Sequence, residues 1–197
     1  MSMFLFNAKT AWNDYFPGIS PSQTYVSTFY STKISPSGPN VYVSNSLFSR
    51  CISTSNGGAI SSTTVKYLLI ESTSFFSCST NNQDGGAIYI INGNECILYK
   101  VCGYDCCSTR ASDGDGQFAY IIMSNTASDK ISLNYSSITR CVGWKSASWW
   151  TLCLNKGKIC LPSVNVSMNK CQYTSGIYCI PYLDSNSITF SMTYTSI

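Results

Sequence analysis

The chain consists of short apolar segments, rich in β-branched and aromatic residues, that alternate with polar turns. The segments have the length of β-strands and are too short for amphipathic helices. Turn-forming pairs such as Asn56-Gly57 and Asp84-Gly85 separate them. The predicted strands cover residues 41–43, 65–70, 87–91, 96–101, 118–123, 131–135, 149–154, 164–168, 177–182 and 188–194. The pattern predicts an all-β protein. Residues 187–197 alternate so regularly that they predict a last strand with one wet face or a strand that pairs with something else.

One short sequence repeats along the chain. Gly-Gly-Ala-Ile occurs at residues 57–60 and 85–88, each time nine residues after a phenylalanine, Phe48 or Phe76. The two copies are 28 residues apart, a period that is typical of solenoids, in which each turn stacks on the next. Weaker copies follow at Gly116-Gln117-Phe118-Ala119, Ala147-Ser148-Trp149-Trp150 and residues 176–180. We therefore expect parallel sheets wound into a solenoid of about five turns over residues 41–197.

The repeated residues have defined expected roles in such a solenoid. The paired glycines enter a strand from a tight corner, where a positive φ or a close approach between turns excludes a Cβ atom. Phenylalanine and cysteine, once per turn, are expected to stack into columns that fill the core. The residues predicted to carry this repeat are Phe48, Cys51, Gly57, Gly58, Phe76, Cys78, Gly85, Gly86, Cys107, Cys141 and Cys171.

The combination of Phe-x-x-Cys or Phe-x-Cys with Gly-Gly-Ala-Ile resembles the repeat of the chlamydial polymorphic membrane proteins. That repeat joins Phe-x-x-Asn to Gly-Gly-Ala-(Ile/Leu/Val), and the present chain looks still more like protist surface proteins that have cysteine in place of the asparagine. The resemblance covers residues 41–123 well and residues 124–186 weakly. It implies a right-handed parallel β-helix and, as a function, adhesion at a cell surface.

Residues 1–40 differ from the rest of the chain, because they hold four of the six prolines together with many aromatic residues. We expect this segment to form a non-repeating arm or cap. The first turn of a solenoid exposes an unpaired strand edge and an apolar end, and a proline-broken aromatic segment is suited to cover both. The alternative is that the arm docks on a partner.

The eleven cysteines favour buried free thiols over a disulfide framework. Their number is odd, and the adjacent pair Cys106-Cys107 is awkward for disulfide geometry. Some disulfides remain an alternative if the compartment is oxidising. The spacing of Cys96, Cys102 and Cys106 does not match the paired Cys-x-x-Cys of structural zinc sites. We expect no metal, no cofactor and no small-molecule ligand.

Positive charge accumulates in the second part of the chain, although the net charge is only +3. Residues 130–197 contain a single acid, Asp184, and six basic residues that form a candidate basic face: Lys130, Arg140, Lys145, Lys156, Lys158 and Lys170. One interpretation is a solvated surface without a designated partner. The other is a contact with an acidic surface, such as a cytoskeletal polymer, a glycan or a lipid headgroup. No run of Lys and Arg indicates nucleic acid, and no segment is long enough to cross a membrane as a helix.

The chain contains no histidine, which removes the usual general base and the common nucleophile pairs. The enzyme alternative is a polysaccharide lyase or hydrolase that uses Asp84, Asp113, Asp115 and Arg110, in some such enzymes with calcium. Calcium takes six to eight oxygen ligands, and the loop around residues 113–116 offers two carboxylates. These aspartates are better explained as turn residues. We expect no catalytic residue.

These features together predict a non-catalytic structural or protein-binding scaffold embedded in a larger intracellular assembly, either cytoplasmic or cytoskeletal. The start of the chain has no cationic leader, and the odd cysteine count suits a reducing compartment. The alternative is a cell-surface adhesion module, as the resemblance implies, if the chain is part of a longer protein.

Overall fold

The computed structural model describes residues 11–81, 83–109, 115–142, 149–171, 176–184 and 188–193. Apart from one short helix, α1 (Ala11–Tyr15), the regular elements of these residues are strands. In chain order the strands are β1 (Gln23–Val26), β2 (Phe29–Tyr30), β3 (Asn40–Ser44), β4 (Leu47–Ser49), β5 (Ile52–Ser53), β6 (Ile60–Ser62), β7 (Tyr67–Glu71), β8 (Ser74–Phe76), β9 (Ser79–Thr80), β10 (Ile88–Gly93), β11 (Glu95–Tyr99), β12 (Cys102–Tyr104), β13 (Cys107–Ser108), β14 (Ala119–Met123), β15 (Lys130–Asn134), β16 (Ser137–Thr139), β17 (Leu152–Asn155), β18 (Lys158–Pro162), β19 (Asn165–Ser167), β20 (Ile177–Ile180) and β21 (Phe190–Thr193).

The strands form four sheets whose members come from successive turns of the chain. Sheet A contains β1, β3, β7, β11, β15, β18 and β21, sheet B contains β2, β4, β8, β12, β16 and β19, sheet C contains β5, β9 and β13, and sheet D contains β6, β10, β14, β17 and β20. Neighbouring strands of the described residues pair in parallel. From β3 to β14 the chain visits the sheets in the order A, B, C, D. The predicted all-β solenoid of stacked parallel sheets, about five turns long, is confirmed.

Side chains that point into the solenoid stack in columns along its axis. In sheet A, Val43 lies in register with Ile70, which lies in register with Leu98. In sheet D, Ile60 pairs in the same way with Ile88. All five side chains are fully buried, and full burial of such a side chain contributes roughly 1.5–3 kcal/mol. The core is therefore a stack of aliphatic layers in which each turn is stabilised by its two neighbours.

The corners between the sheets are made by residues in the left-handed region of backbone conformation. The column between sheets A and B contains Ser27, Asn45, Ser72, Lys100, Tyr135 and Ser163. The column at the corner after sheet B contains Arg50, Ser77, Asp105, Arg140 and Met168. The first three of these residues lead into the strands of sheet C. None of these is glycine, although the left-handed conformation costs an ordinary residue roughly 1–2 kcal/mol. The sequence predicted only the glycine corner before sheet D, because glycine is the usual sign of such a corner.

The solenoid begins inside residues 1–40, which the sequence assigned to a non-repeating arm. β1 pairs with β3 and β2 pairs with β4, both in parallel, so these two strands form a first layer. The repeat thus starts at Gln23 and not at residue 41. The sequence did not reveal this layer because its strands are only four and two residues long and lie among prolines.

Helix α1 covers the side of the solenoid, not its end. The side chains of Trp12 and Phe16 are buried against the outer face of sheet A, where they pack on Tyr42, Leu69 and Ile97. These three residues are the middle residues of β3, β7 and β11 and point outward from the main core. Residues 11–22 therefore act as a lateral cover for an apolar strip.

Candidate binding surface

The phenylalanine column of the core is displaced by one residue from the predicted one. Phe48 lies in register with Phe75, and their stacked ring centroids are 5.0 Å apart. Phe76, which the sequence placed in the core, is 39% exposed on the outer face of sheet B. The prediction was wrong because the second copy has one more residue between its cysteine and its glycines. The 28-residue period of Gly57 and Gly85 therefore does not apply to the phenylalanines.

The next layer of this column contains no side chain, because Gly103 is the partner of Phe75. Phe118, at the corner before sheet D, fills the space. A Cβ atom on Gly103 would lie 2.4 Å from the Phe118 ring, and that ring meets Phe75 edge-on at a centroid distance of 5.6 Å. The turn before has Ala87 where this turn has Phe118. A large and a small residue have thus exchanged places between two sheets, which keeps the core filled.

A column of buried cysteines runs along the corner after sheet B, with two changes from the predicted membership. Its cysteines are Cys51, Cys78, Cys106 and Cys141. Cys106 takes the place predicted for Cys107, which is half-buried in sheet C beside Ser79. Asn169 takes the place predicted for Cys171, and its carboxamide oxygen accepts a hydrogen bond from the backbone N–H of Cys141 at 2.8 Å.

The cysteine column links each turn to the turn before it. The thiols donate hydrogen bonds to backbone carbonyls of the phenylalanine column, from Cys51 to Tyr30 at 3.5 Å, Cys78 to Phe48 at 3.5 Å and Cys106 to Phe75 at 3.6 Å. Asn169 does the same with its side-chain amide, which donates to the Ile138 carbonyl at 3.0 Å. Burial raises the pKa of the Cys106 thiol well above its ordinary value, so this sulfur keeps the proton that it donates.

The repeated glycines have the two roles expected of them. Gly57 and Gly85 adopt positive φ, at 71° and 66°. Gly58 and Gly86 lie where successive turns approach each other most closely, and a Cβ atom on Gly86 would lie 2.0 Å from the carbonyl oxygen of Gln117. The first glycine of each pair therefore makes the corner, and the second admits the neighbouring turn.

The copy that the sequence placed at residues 147–150 lies two residues later. Leu152 lies in register with Ala119, which lies in register with Ile88, so Trp150 occupies the position of the second glycine, Gly86. Both Trp149 and Trp150 are half-buried. The Trp150 ring stacks on Tyr178 with a centroid distance of 3.9 Å. The sequence does not show this shift because the turn contains neither glycine of the pair.

Two of the four residues considered for polysaccharide cleavage are described, and they lie one above the other at the corner before sheet D. The Asp115 N–H donates to Asp84 Oδ1 at 3.0 Å, and the Asp84 N–H donates to Asn56 Oδ1 at 3.1 Å. These bonds are typical of aspartates that stabilise turns. Arg110 and Asp113 lie outside the described residues. Within the described part of the chain, His, Cys, Asp and Glu form no group of three that could hold a metal ion.

The predicted basic face divides into two groups at different corners. The first group lies where the chain enters sheet A. Lys130 and Lys158 begin adjacent strands in register, and Lys156 is at the corner just before them. Lys130 forms an ion pair with Glu95 at 3.3 Å. This group therefore presents less free positive charge than its sequence indicates.

The second basic group lies at the far end of sheet B. Arg140 is at the corner after β16, and its guanidinium carbon is 5.5 Å from the centroid of the Tyr104 ring. Lys170 follows β19 in the next turn and forms an isolated parallel bridge with Val142. Lys145 lies outside the described residues. The width of sheets A and B separates this group from the first, so the described members do not form one face.

The end of the solenoid formed by β20 and β21 exposes core positions. Ile177 and Cys179 of β20 extend the inner columns of sheet D, and Phe190 and Met192 of β21 extend those of sheet A. Phe190 is 40% exposed and Met192 38% exposed. With Tyr178 and Pro181, the four residues line a groove of about 390 Å³. We call these four residues the end layer.

The opposite end of the solenoid is closed by aromatic and polar side chains. Tyr30 stacks on Phe48 at a centroid distance of 4.6 Å, and Tyr25 meets Tyr30 edge-on at 6.3 Å. The Gln23 carboxamide oxygen accepts hydrogen bonds from the backbone N–H groups of Ser37 and Gly38 at 3.0 and 2.9 Å. The proline-containing loop after β2 is thereby fixed against this end.

Comparisons with known proteins give no match. No protein-family model, no curated protein and no solved structure matches the chain. The solenoid fold thus rests on the structure, and the resemblance to the chlamydial repeat rests on the sequence motif. Among the described residues no helix is long and apolar enough to span a membrane.

Proposed function

We propose that this chain is a non-catalytic scaffold that binds protein within a larger assembly, and that the end layer accepts a further β-layer from a partner protein. The observation that carries the proposal is the continuity of the end layer with the core. Phe190 follows Ile159 and Met192 follows Leu161 in register, and both of those partners are fully buried. The end layer is therefore a core layer that no further strand of the described residues covers.

The backbone of the last strands supports the same proposal. β21 is the outermost strand of sheet A, and β20 is the outermost strand of sheet D. Each has one edge that pairs with no described strand, and such an edge is a template for a further strand. A partner strand with an apolar residue at every second position would satisfy this edge and cover the end layer. Completing the burial of Phe190 contributes about 1 kcal/mol on the scale of side-chain transfer.

We propose a reducing, intracellular compartment for this assembly. The Cys106 thiol supports it, because it is buried, has a raised pKa and donates a hydrogen bond to the Phe75 carbonyl, for which it must keep its hydrogen. The finer likeness to the chlamydial type of repeat is also a proposal. Its support is that the glycine pairs at 57–58 and 85–86 occupy equivalent places in successive turns.

A charge placed in the end layer tests the proposed function. The full chain carries Phe190→Glu or, as a matched control, Ser191→Glu. Ser191 is the next residue of β21 and points to the outer face of sheet A. Each tagged variant is expressed in the source cells, and the size of the complex that it enters is measured by sedimentation. We expect Phe190→Glu to leave the large complex and Ser191→Glu to remain in it.

The stability of both variants is measured in parallel by chemical denaturation, so that unfolding is not mistaken for lost binding. If folded Phe190→Glu stays in the complex, the end layer is not the binding surface. If both variants leave it equally, the effect belongs to added charge at this end and the proposal is wrong.

A further inference from the structure

A second surface lies on the side of the solenoid, in its first turns. Four large apolar residues point outward from sheets B and C, and we call them the outer patch: Phe29, Leu47, Ile52 and Phe76. Their side chains are 63%, 39%, 66% and 39% exposed, respectively. Phe29 lies directly beside Leu47 in register. Monomeric soluble proteins rarely leave such groups of large apolar residues together in water without a binding role.

The fold itself does not require these residues to be apolar. The same outer rows of sheet B continue in later turns, where the corresponding positions are Ser137, Thr139, Asn165 and Ser167. The strands there pair in parallel in the same way, and their central residue is likewise buried. Between these turns and the outer patch lie Cys102 and Tyr104, and the Tyr104 ring stacks on Phe76 at a centroid distance of 5.4 Å. Large side chains on this face therefore extend from the first turns to Tyr104 and end before β16.

A single arginine lies in the middle of the outer patch. Arg50 makes the corner between Leu47 on sheet B and Ile52 on sheet C, in the left-handed conformation with φ 55°. Its backbone N–H donates to the Phe76 carbonyl at 2.8 Å, which fixes the corner, while its side chain is exposed. In the described structure no carboxylate forms an ion pair with its guanidinium. Asp105 lies on the same corner column two turns from Arg50, and its carboxylate accepts a hydrogen bond from the Ser77 hydroxyl.

The charged residues in the turns of the outer patch are mostly basic. Lys33 and Arg50 lie in these turns, and the nearest acids are Glu71 at the end of β7 and Asp105 at the corner after β12. A partner with carboxylates is attracted to such a surface, and a basic partner is repelled. The charge therefore selects the kind of segment that the apolar residues bind.

We propose that the outer patch binds an acidic segment of a partner protein in which a carboxylate is flanked by large apolar side chains. The carboxylate pairs with the Arg50 guanidinium, which offers a planar set of donors. The apolar side chains cover Leu47 and Phe76 on one side of Arg50 and Ile52 on the other. Arginine and aromatic residues in a shared patch are the commonest centres of binding energy at protein interfaces. This surface is separate from the end layer and does not depend on it.

A charge exchange between protein and peptide tests the proposal. The probe is a fluorescein-labelled peptide in which glutamate alternates with phenylalanine and leucine, and binding to the full chain is followed by anisotropy. We expect Arg50→Glu to weaken binding by about tenfold or more, because it places like charges together. A second peptide with lysine in place of glutamate is expected to bind Arg50→Glu better than it binds the natural chain.

Arg140→Glu is the matched control. Arg140 is exposed on the same corner column, three turns from Arg50, with the same φ of 55°. Its guanidinium lies over Tyr104, and its other neighbours on sheet B are Ser137 and Thr139. We expect this variant to bind the acidic peptide within about twofold of the natural chain, because the charge is screened over that distance. Ile52→Ser is expected to weaken binding without changing the preference for the acidic peptide.

Three results overturn the proposal. The first is equal weakening by Arg50→Glu and Arg140→Glu, which indicates a general charge effect. The second is binding of the lysine peptide to the natural chain as tightly as the glutamate peptide. The third is Arg50-dependent binding to vesicles that contain phosphatidylserine, with no binding of either peptide, which assigns the patch to a membrane. Denaturation curves of each variant establish that the exposed substitutions leave the fold intact.

Discussion

The two ends of the solenoid solve the same physical problem differently. At the first end, the Tyr30 ring packs on Phe48, the Tyr25 ring packs on Tyr30, and Gln23 fixes the following loop. At the last end, Phe190 and Met192 occupy core positions and remain about 40% exposed. A stack of parallel turns has no intrinsic end, so each end must be covered by special residues, by further turns or by another protein. The difference indicates which end is suited to a partner.

The largest expected contrast comes from removing one phenylalanine ring from the core near the first end and one from the end layer. Phe48→Ala empties a fully buried position between Tyr30 and Phe75, and we expect it to lower the free energy of unfolding by about 4 kcal/mol. Phe190→Ala removes a ring from a half-covered position, and we expect a loss of about 1 kcal/mol. Urea denaturation of the isolated chain measures both. Equal losses would mean that the end layer is as well covered as the core, contrary to the comparison.

The next contrast places one added methyl group inside the stack and one outside it. Gly86→Ala puts a Cβ atom 2.0 Å from the Gln117 carbonyl oxygen, and we expect a loss of about 3 kcal/mol because the turns must separate. At Gly18 nothing lies within 4 Å of the added atom, but φ is 78°. Gly18→Ala is therefore expected to cost about 1 kcal/mol from backbone conformation alone. Thermal denaturation is the measurement, and a milder effect at Gly86 than at Gly18 would contradict the close approach of the turns.

A smaller effect is expected at a corner near the uncovered end. Met168 is 78% exposed and has φ 56°, so its side chain contributes little while its backbone is strained. We expect Met168→Gly to raise the free energy of unfolding by about 0.5 kcal/mol, because relief of strain exceeds the added entropy of the unfolded chain. Met168→Val should instead lower it by about 1 kcal/mol, since β-branching disfavours this conformation. Chemical denaturation compares the pair, and destabilisation by glycine would show that the corner is not strained.

A further expected effect depends on pH and concerns the side covered by α1. Burial, together with a hydrogen bond from the Tyr42 hydroxyl to Glu71, raises the pKa of Tyr42 to about 12. The folded state thus prefers the neutral phenol, which stabilises the protein below the ordinary pKa of about 10. This stabilisation is lost as the pH rises from about 10 to about 12. We expect Tyr42→Phe to show a shallower decrease of stability over this range, measured by denaturation at each pH. An unchanged slope would contradict the assigned pKa.

The parts of the fold that follow from local backbone needs could be predicted from the sequence. The glycine pairs at 57–58 and 85–86 identified the period because only glycine fits those positions. The register of the side-chain columns could not be predicted in the same way. Because the loop between cysteine and glycines is one residue longer in the second copy, the core position of the phenylalanine column is filled by Phe75 and not by Phe76. The sequence does not show which of these two adjacent aromatic residues points inward.

The candidate site was only partly predictable for a different reason. The alternation within residues 187–197 predicted a last strand with a second role, and β21 lies there. Burial of Phe190 and Met192, however, depends on whether another layer follows, and this is a property of the whole stack. The sequence did not show the outer patch because Phe29, Leu47 and Phe76 come from three successive turns and lie on one face only in the folded chain. The count of charged residues directed attention to the basic residues 130–197. The outer patch instead depends on one arginine, Arg50, in the first part of the chain.

Amide hydrogen exchange of the two ends tests the central claim most directly. Exchange is measured by mass spectrometry for the isolated chain and for the chain within its native complex. We predict that peptides spanning β20 and β21 exchange at least about tenfold more slowly in the complex, while those spanning β1 and β2 change little. Unchanged exchange at β20 and β21, or protection confined to β1 and β2, would contradict the assignment of the uncovered end as the binding surface.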